Sequence, residues 1–293
     1  QELTEDYYTR VMEGQLATSK PPVFVTAERH EDLDEVTRSV FSETTFKRAQ
    51  LLGRRTGEMH LALASASSDL PDMVPEPLTA AYREEIYQAA KKLLDRQFAE
   101  LTDKLGELSE TQRQEAQNVL NQRDRVENRL RAIREQAISV DLTRIHADYH
   151  LGQVLCTEDD FYIIDFEGEP LLSIPERRRK RPPFKDVAGM VRSFHYAAQG
   201  QLLLNYNYSN EDREALTVWG EHWFRHVRHL FLSAYLKTTE GASFIPDTPT
   251  QREDLLDFFV LEKAIYEVAY ELNSRPDWLA IPLRGVLFAL IDN

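Results

Sequence analysis

One short stretch limits what this chain can become. Val154-Leu155-Cys156 and Phe161-Tyr162-Ile163-Ile164-Asp165 are apolar runs on either side of the acidic turn Thr157-Glu158-Asp159-Asp160, the pattern of a β-hairpin. The rest of the chain has a helical texture, so one small strand pair must be accommodated among helices.

Helical periodicity starts at Phe46, where Leu51, Leu52, Met59, Leu61, Leu63 and Ala64 recur near the 3.6-residue repeat. Ser65 to Pro77, rich in Ser, Asp and Pro, ends that run. Leu78 to Ala137 is dense in Glu, Lys, Gln, Arg, Ala and Leu and contains no proline. A break is expected near Gly106, because Ser109-Glu110-Thr111-Gln112 has the form of a capping box and would start a second helix. The segment at about 78–137 therefore reads as two long helices in an antiparallel hairpin, with enough charge on most faces to be solvated rather than a coiled-coil partner site. Asp212–Leu236 and Leu255–Leu272 are helical again, and Pro276 stops the last run. Residues 1–45 are acidic and mixed and read as a linker or remnant before a lobe at 46–293; within them Val23-Phe24-Val25 is a short strand or extended linker. The expected fold class is mainly α with a small β-hairpin (α+β).

Composition removes several function classes. The chain has 49 acidic against 35 basic residues and a net charge of -14, which disfavours a general nucleic-acid binder. Cys156 alone excludes an intrachain disulfide scaffold and a Cys-rich zinc module. No apolar run approaches the about 18 residues of a membrane span. A soluble cytoplasmic protein with no nucleic-acid or membrane partner is expected, long enough to bury roughly 75% of its unfolded-state surface.

Chemistry concentrates around the hairpin. Ile145-His146-Ala147-Asp148-Tyr149-His150-Leu151-Gly152-Gln153 precedes it and Ile164-Asp165-Phe166-Glu167-Gly168 follows it. Phosphoryl transfer needs a carboxylate to orient and deprotonate the attacking hydroxyl and oxygen ligands for Mg²⁺ on the phosphates. Kinases draw these from a His-x-Asp-x-x-x-x-Asn loop and an Asp-Phe-Gly just past a hairpin. Here Asp148 is the base candidate, His146 braces the loop, and Gln153 offers an amide oxygen in place of Asn. Asp165 lies at the end of an apolar strand, where a rigid metal-holding carboxylate belongs. Glu167 stands where the glycine would be, either as a further Mg²⁺ ligand or as the cap of a local turn.

These segments, together with Lys185-Asp186-Val187-Ala188-Gly189-Met190-Val191-Arg192-Ser193-Phe194, resemble the maltokinase family of aminoglycoside-phosphotransferase-like, protein-kinase-like enzymes. Leu52-Gly53-Arg54-Arg55-Thr56-Gly57-Glu58-Met59-His60-Leu61-Ala62 and Glu271-Leu272-Asn273-Ser274-Arg275-Pro276-Asp277-Trp278 extend the likeness from about Leu52 to the C-terminus. Members are free enzymes or the C-terminal part of fusions with trehalose synthase. The resemblance implies the helical C-terminal lobe of the kinase-like fold and ATP- and Mg²⁺-dependent phosphorylation of maltose at its anomeric hydroxyl, giving maltose 1-phosphate for glucan synthesis. The chain has no Gly-x-Gly-x-x-Gly, no Walker-type loop and no Val-Ala-Ile-Lys-like strand, so the N-terminal lobe is expected to be missing and these residues alone to turn over hardly at all. Two other readings share the sequence: a phosphotransferase for an aminoglycoside or choline-like substrate, and a non-catalytic sugar-binding or scaffolding domain of trehalose synthase.

Further candidates lie outside the hairpin. Lys263, Glu267 and Glu271 recur every four residues with Tyr266 and Tyr270 beside them, and Arg275 follows. The three charges form a helical ladder, and the set carries the groups a sugar site uses. Asp186 is expected to anchor the catalytic loop through backbone hydrogen bonds, while Glu58 and His60 read equally as a buried structural pair. Arg177, Arg178, Arg179, Lys180, Arg181 and Lys185 are expected to sit mostly in water, though phosphate neutralisation is the alternative. His222, His226 and His229 have ligand spacing but fall beside the apolar stripe of Trp219, Trp223, Val227 and Leu230, so packing is expected. Cys156 is expected to be inert packing.

Overall fold

Several helices begin where a short polar side chain can accept from an otherwise unpaired N–H. Asp34, Thr79, Ser109, Ser209 and Thr248 each take the backbone N–H three residues on, and Gln112 completes the expected capping box at Ser109. The computed structural model describes residues 2–65, 71–170, 172–205 and 208–291. In order the elements are α1 (Glu2–Glu13), α2 (Glu35–Val40), α3 (Glu43–Ala64), β1 (Glu76–Pro77), α4 (Ala80–Asp103), α5 (Glu110–Leu120), α6 (Arg123–Glu135) and β2 (Asp141–Leu142). There follow β3 (Val154–Cys156), β4 (Phe161–Ile163), α7 (Ile174–Arg177), α8 (Phe184–Leu204), α9 (Asn210–Thr238), α10 (Pro249–Ser274) and α11 (Ala280–Phe288). The chain is mainly α with small antiparallel strand pairs, as its sequence pattern implies. Of the loop read at Ser65–Pro77, residues 66–70 lie outside the described residues. No helix among the described residues is long and apolar enough to cross a membrane. The chain divides into two compact units.

The first unit comprises Gln1–Met59, Leu151–Ile164 and Ser193–Glu240. Its N-terminal segment is folded, unlike the linker read from composition. Tyr7, Tyr8 and Val11 fall on one face of α1 and are fully buried. The Tyr7 hydroxyl bonds His222 Nδ1 at 2.8 Å, and the Tyr8 hydroxyl donates to the Ala198 carbonyl at 2.8 Å. Val23-Phe24-Val25 belongs to no strand; Val23 and Val25 are exposed, while Phe24 packs on His226 and His229. The central hairpin has the register Val154↔Ile163, Leu155↔Tyr162 and Cys156↔Phe161. Its acidic turn is fixed to α3: Arg55 donates to both Asp160 oxygens at 2.7 and 2.8 Å, which holds the Asp160 carboxyl at about 2. Cys156 is exposed on β3, a correction to its expected packing role. Cys156 ends β3 at the exposed acidic turn, where its thiol donates to the Thr157 carbonyl at 3.3 Å.

The second unit comprises His60–His150, Asp165–Arg192 and Gly241–Asn293. Here α4 packs on α6 and both pack on α10, around the fully buried Leu94, Leu101, Leu130 and Phe258. The expected two-helix hairpin is in fact three helices. The chain turns at Leu105–Glu107, near Gly106 as expected, and again at Asn121-Gln122, where neither proline nor glycine marks the break. The cationic run is more firmly tied than a solvated loop. Arg179 pairs with both Glu85 oxygens at 2.6 Å, buried Lys180 pairs with Glu76, and Arg177 donates to the Leu172 and Pro170 carbonyls.

Candidate active site

The loop that follows β2 in the second unit is shaped by one buried carboxylate. Pro182-Pro183 set the start of α8, which places Asp186 in its first turn, 2% exposed. Asp186 Oδ2 accepts the His146 N–H at 2.7 Å and Oδ1 accepts the Ala147 N–H at 2.9 Å. His60 Nε2, on a fully buried ring, lies 3.1 Å from Oδ2. A carboxylate has no proton to give, so Nε2 is the donor. His60 therefore belongs with Asp186, whereas Glu58 lies in the first unit and pairs with Arg55 at 2.5 Å. The Tyr149 carbonyl would come within 2.6 Å of a Cβ on Gly189, so α8 reaches the loop this closely because that position is glycine.

Strain sits beside the candidate base. Ala147 has φ 72° and Asp165 φ 65°, left-handed values that ordinary residues adopt at a cost of about 1–3 kcal/mol. Such strain persists only where the surroundings impose it, and at Ala147 the Asp186 bond does so. The next side chain, Asp148, is half-buried, and its Oδ2 lies 3.9 Å from His150 Nε2. His146 is fully buried: its Nδ1 accepts the Asp148 N–H at 3.4 Å, and its ring packs on Phe166 and Tyr149 at 4.9 and 5.3 Å. It braces the loop and is shielded from solvent. Asp165 and Glu167 are both exposed. Gln153 belongs to the first unit, where its carbonyl accepts the Ile164 N–H at 3.0 Å and Leu151 of the same turn donates to Ser193 Oγ at 3.0 Å.

Around α10 the ladder read from spacing is not formed. Glu267, 8% exposed, accepts Arg192 Nε at 2.8 Å and forms an ion pair with Nη2 at 2.7 Å, and Glu271, 1% exposed, accepts Arg275 Nε and Nη2 at 3.0 and 2.7 Å. Lys263 lies over the Tyr266 ring at 5.3 Å instead of pairing with Glu267. Burial decides these partners, because a desolvated carboxylate takes the forked guanidinium. Arg275 also covers Tyr270 and Trp278, at 5.6 and 4.6 Å from their ring centres. The Tyr266 phenol is raised, first by burial and then by Glu169, Tyr270, Asp148 and Glu267. Asp148 and the candidate sugar helix thus share one neighbourhood, with Glu169 added to it. Neither Glu169 nor the Arg192 partnership was assigned from spacing, although Arg192 lies inside a segment that carries the family resemblance and Glu169 directly follows one.

Within the second unit the expected donors for a divalent cation are the carboxylates of Asp165 and Glu167, while the third expected donor, Gln153, belongs to the first unit. Among the described residues no group of three or more His, Cys, Asp or Glu is arranged to hold a metal unaided. That donor set fits Mg²⁺, which keeps waters and substrate phosphates and takes only one or two protein carboxylates.

A loop aspartate that follows a strained residue, and a second aspartate just past a hairpin in the sequence, are features found in phosphotransferases of the protein-kinase-like class. The chain belongs to the phosphotransferase enzyme family (APH), whose model matches residues 12–222. It is similar to a glucosamine kinase of Streptacidiphilus jiangxiensis, at 25% identity over 254 residues, covering 85% of this chain and 52% of that protein. A glucosamine kinase of Mycolicibacterium smegmatis matches at 29% identity over 150 residues, covering 50% of this chain and 34% of that protein. Among solved structures, a glucosamine kinase superposes with TM-score 0.70 at 19% identity, covering 99% of this chain and 55% of that one. Another, in complex with glucosamine, ADP and inorganic phosphate, gives TM-score 0.69 at 18% identity, covering 98% and 56%. The first curated relative and these structures are matched over about half their length, and the structural likeness establishes the fold.

Proposed function

We propose that this chain carries the catalytic loop and the sugar-holding helix for transfer of the ATP γ-phosphate to a hydroxyl of an amino sugar of the glucosamine type. Asp148 orients the hydroxyl and takes its proton as the oxygen attacks the γ-phosphorus; the new O–P bond forms, and the bond to the β-phosphate oxygen breaks with its electron pair leaving on ADP. Asp165 and Glu167 are the side chains assigned to Mg²⁺, which when bound would neutralise charge on the phosphates.

One observation favours an amino sugar over the maltose implied by the sequence resemblance. Asp148 and Glu169 both act on the Tyr266 phenol, and the Glu169 carboxylate has no ion pair among the described residues. A free carboxylate here is a partner for a substrate ammonium, which maltose lacks. The names of the similar proteins agree with this choice. Tyr266, Tyr270 and Trp278 offer ring faces for the apolar side of the sugar, and the glycine-bearing loop and strand lysine of the nucleotide site are assigned to a portion outside these 293 residues. ADP release by a protein uniting both portions tests the substrate. Glucosamine should exceed N-acetylglucosamine and maltose by about 10²-fold or more in kcat/KM. Faster turnover of maltose would overturn the amino-sugar reading.

A further inference from the structure

The first unit holds a cleft of about 890 Å³ that the catalytic loop does not line. Its size lies within the roughly 300–1,000 Å³ of small-molecule sites. One wall is α3, with Lys47, Gln50 and Arg54, and the other is α9, with Ser233, Lys237 and Thr238. The two walls are locked together at glycines: a Cβ on Gly53 would strike the Phe231 carbonyl, and one on Gly57 would lie 2.9 Å from the Thr238 side chain. The cleft is therefore set by packing and needs no ligand to hold it open.

Three cations line a cleft in a chain of net charge -14. Lys47 is engaged by Glu43 at 2.6 Å, but Arg54 and Lys237 make no ion pair among the described residues. His229, also on the lining, is held below its usual pKa by burial and so acts as a neutral hydrogen-bonding group near pH 7. Among the described residues no Phe, Tyr or Trp lines the cleft, so a nucleobase finds no ring there to stack on. The lining also includes Thr26, Gln50, Ser233 and Thr238 and the acidic residues Glu28 and Asp159, a mixture suited to a body carrying hydroxyls.

We propose that this cleft is a second ligand site, for the phosphate monoester of a small hydroxyl-bearing molecule such as a sugar phosphate. Arg54 and Lys237 hold the phosphate, and the hydroxyls meet Asp159, Glu28 and the Ser233 and Thr238 side chains. The site is independent of the catalytic reading and would let phosphorylated sugars act on the protein away from the catalytic loop.

Calorimetric titration of the 293-residue chain with glucose 6-phosphate tests it, with glucose and inorganic phosphate as single-feature probes. Glucose 6-phosphate should bind saturably at one site and more tightly than either probe. Arg54→Gln and Lys237→Gln should each weaken it about tenfold or more, since charge-assisted bonds are lost. Ser233→Trp, which fills the cleft and leaves the cations in place, should abolish binding, while Asp148→Asn should leave it unchanged. Thermal melts verify that each variant remains folded. Absence of saturable binding, or binding that survives all three cleft substitutions, would overturn the proposal. Loss of binding in Asp148→Asn would also overturn it, by assigning the ester to the catalytic loop.

Discussion

Asp186 holds Ala147 in its left-handed conformation, with Oδ1 2.9 Å from the Ala147 nitrogen. The same carboxylate takes the His146 N–H and the His60 ring, so one side chain satisfies three buried donors and aims the residue that follows, Asp148. Asp186→Ala should cost about 3–5 kcal/mol in denaturant melts, because buried donors lose their acceptor. Asp186→Asn keeps one acceptor oxygen and should fold, yet lose about 10²-fold in kcat with a small change in KM, as expected when a catalytic group is displaced by about 1 Å. Unchanged kcat in a folded Asp186→Asn would remove Asp186 from the positioning of the loop.

Glu267 and Arg192 form a desolvated pair, 10% and 3% exposed in their side chains. Removing one partner strands the other charge, so Glu267→Ala should destabilise by about 3–5 kcal/mol. The double variant Arg192→Met, Glu267→Leu should recover most of that loss, because an apolar pair of similar volume leaves no buried charge. Equal destabilisation by the single and double variants would show that shape, not charge, dominates there.

Acid should act first on the histidines of α9. Burial depresses His222 to about 4 and His226 to about 3, with His222 adding to the latter. Both fall below the unfolded value near 6.5, so the unfolded state binds protons first. Stability is therefore full above about pH 6.5 and is lost progressively as pH falls toward 4 and 3. His226 Nε2 is buried without a hydrogen-bond partner among the described residues, so His226→Leu should fold and move the acid-unfolding midpoint downward. His222 differs in bonding both Tyr7 and Thr37, and its replacement should also weaken α1 and α2 at neutral pH. An acid midpoint unmoved by His226→Leu would transfer the effect to other groups.

What the sequence revealed follows from the range of the interactions involved. The β3–β4 hairpin was legible because alternation and an acidic turn are local, and the Ser109 capping box because it spans four residues. The break at Asn121-Gln122 was not, since packing of α4 and α6 on α10 makes it and no turn residue announces it. The folding of α1 was legible in principle: Tyr7, Tyr8 and Val11 share a face, but acidic neighbours mask the period. Partnerships such as Asp186 with His60, or Arg192 with Glu267, join residues far apart in the chain, and spacing within one helix favoured Lys263 for Glu267 instead. The candidate catalytic loop and Asp165 could be singled out because the pattern that marks them is confined to short, ordered segments.

The claim that most needs testing is that Asp148 takes the hydroxyl proton. Asp148→Asn in a protein that turns over should lose about 10²–10⁴-fold in kcat, the usual contribution of a positioned base, while calorimetry shows glucosamine affinity within about fivefold of the parent. A variant that keeps most of its turnover, or one that loses sugar binding and rate in equal measure, would contradict the account.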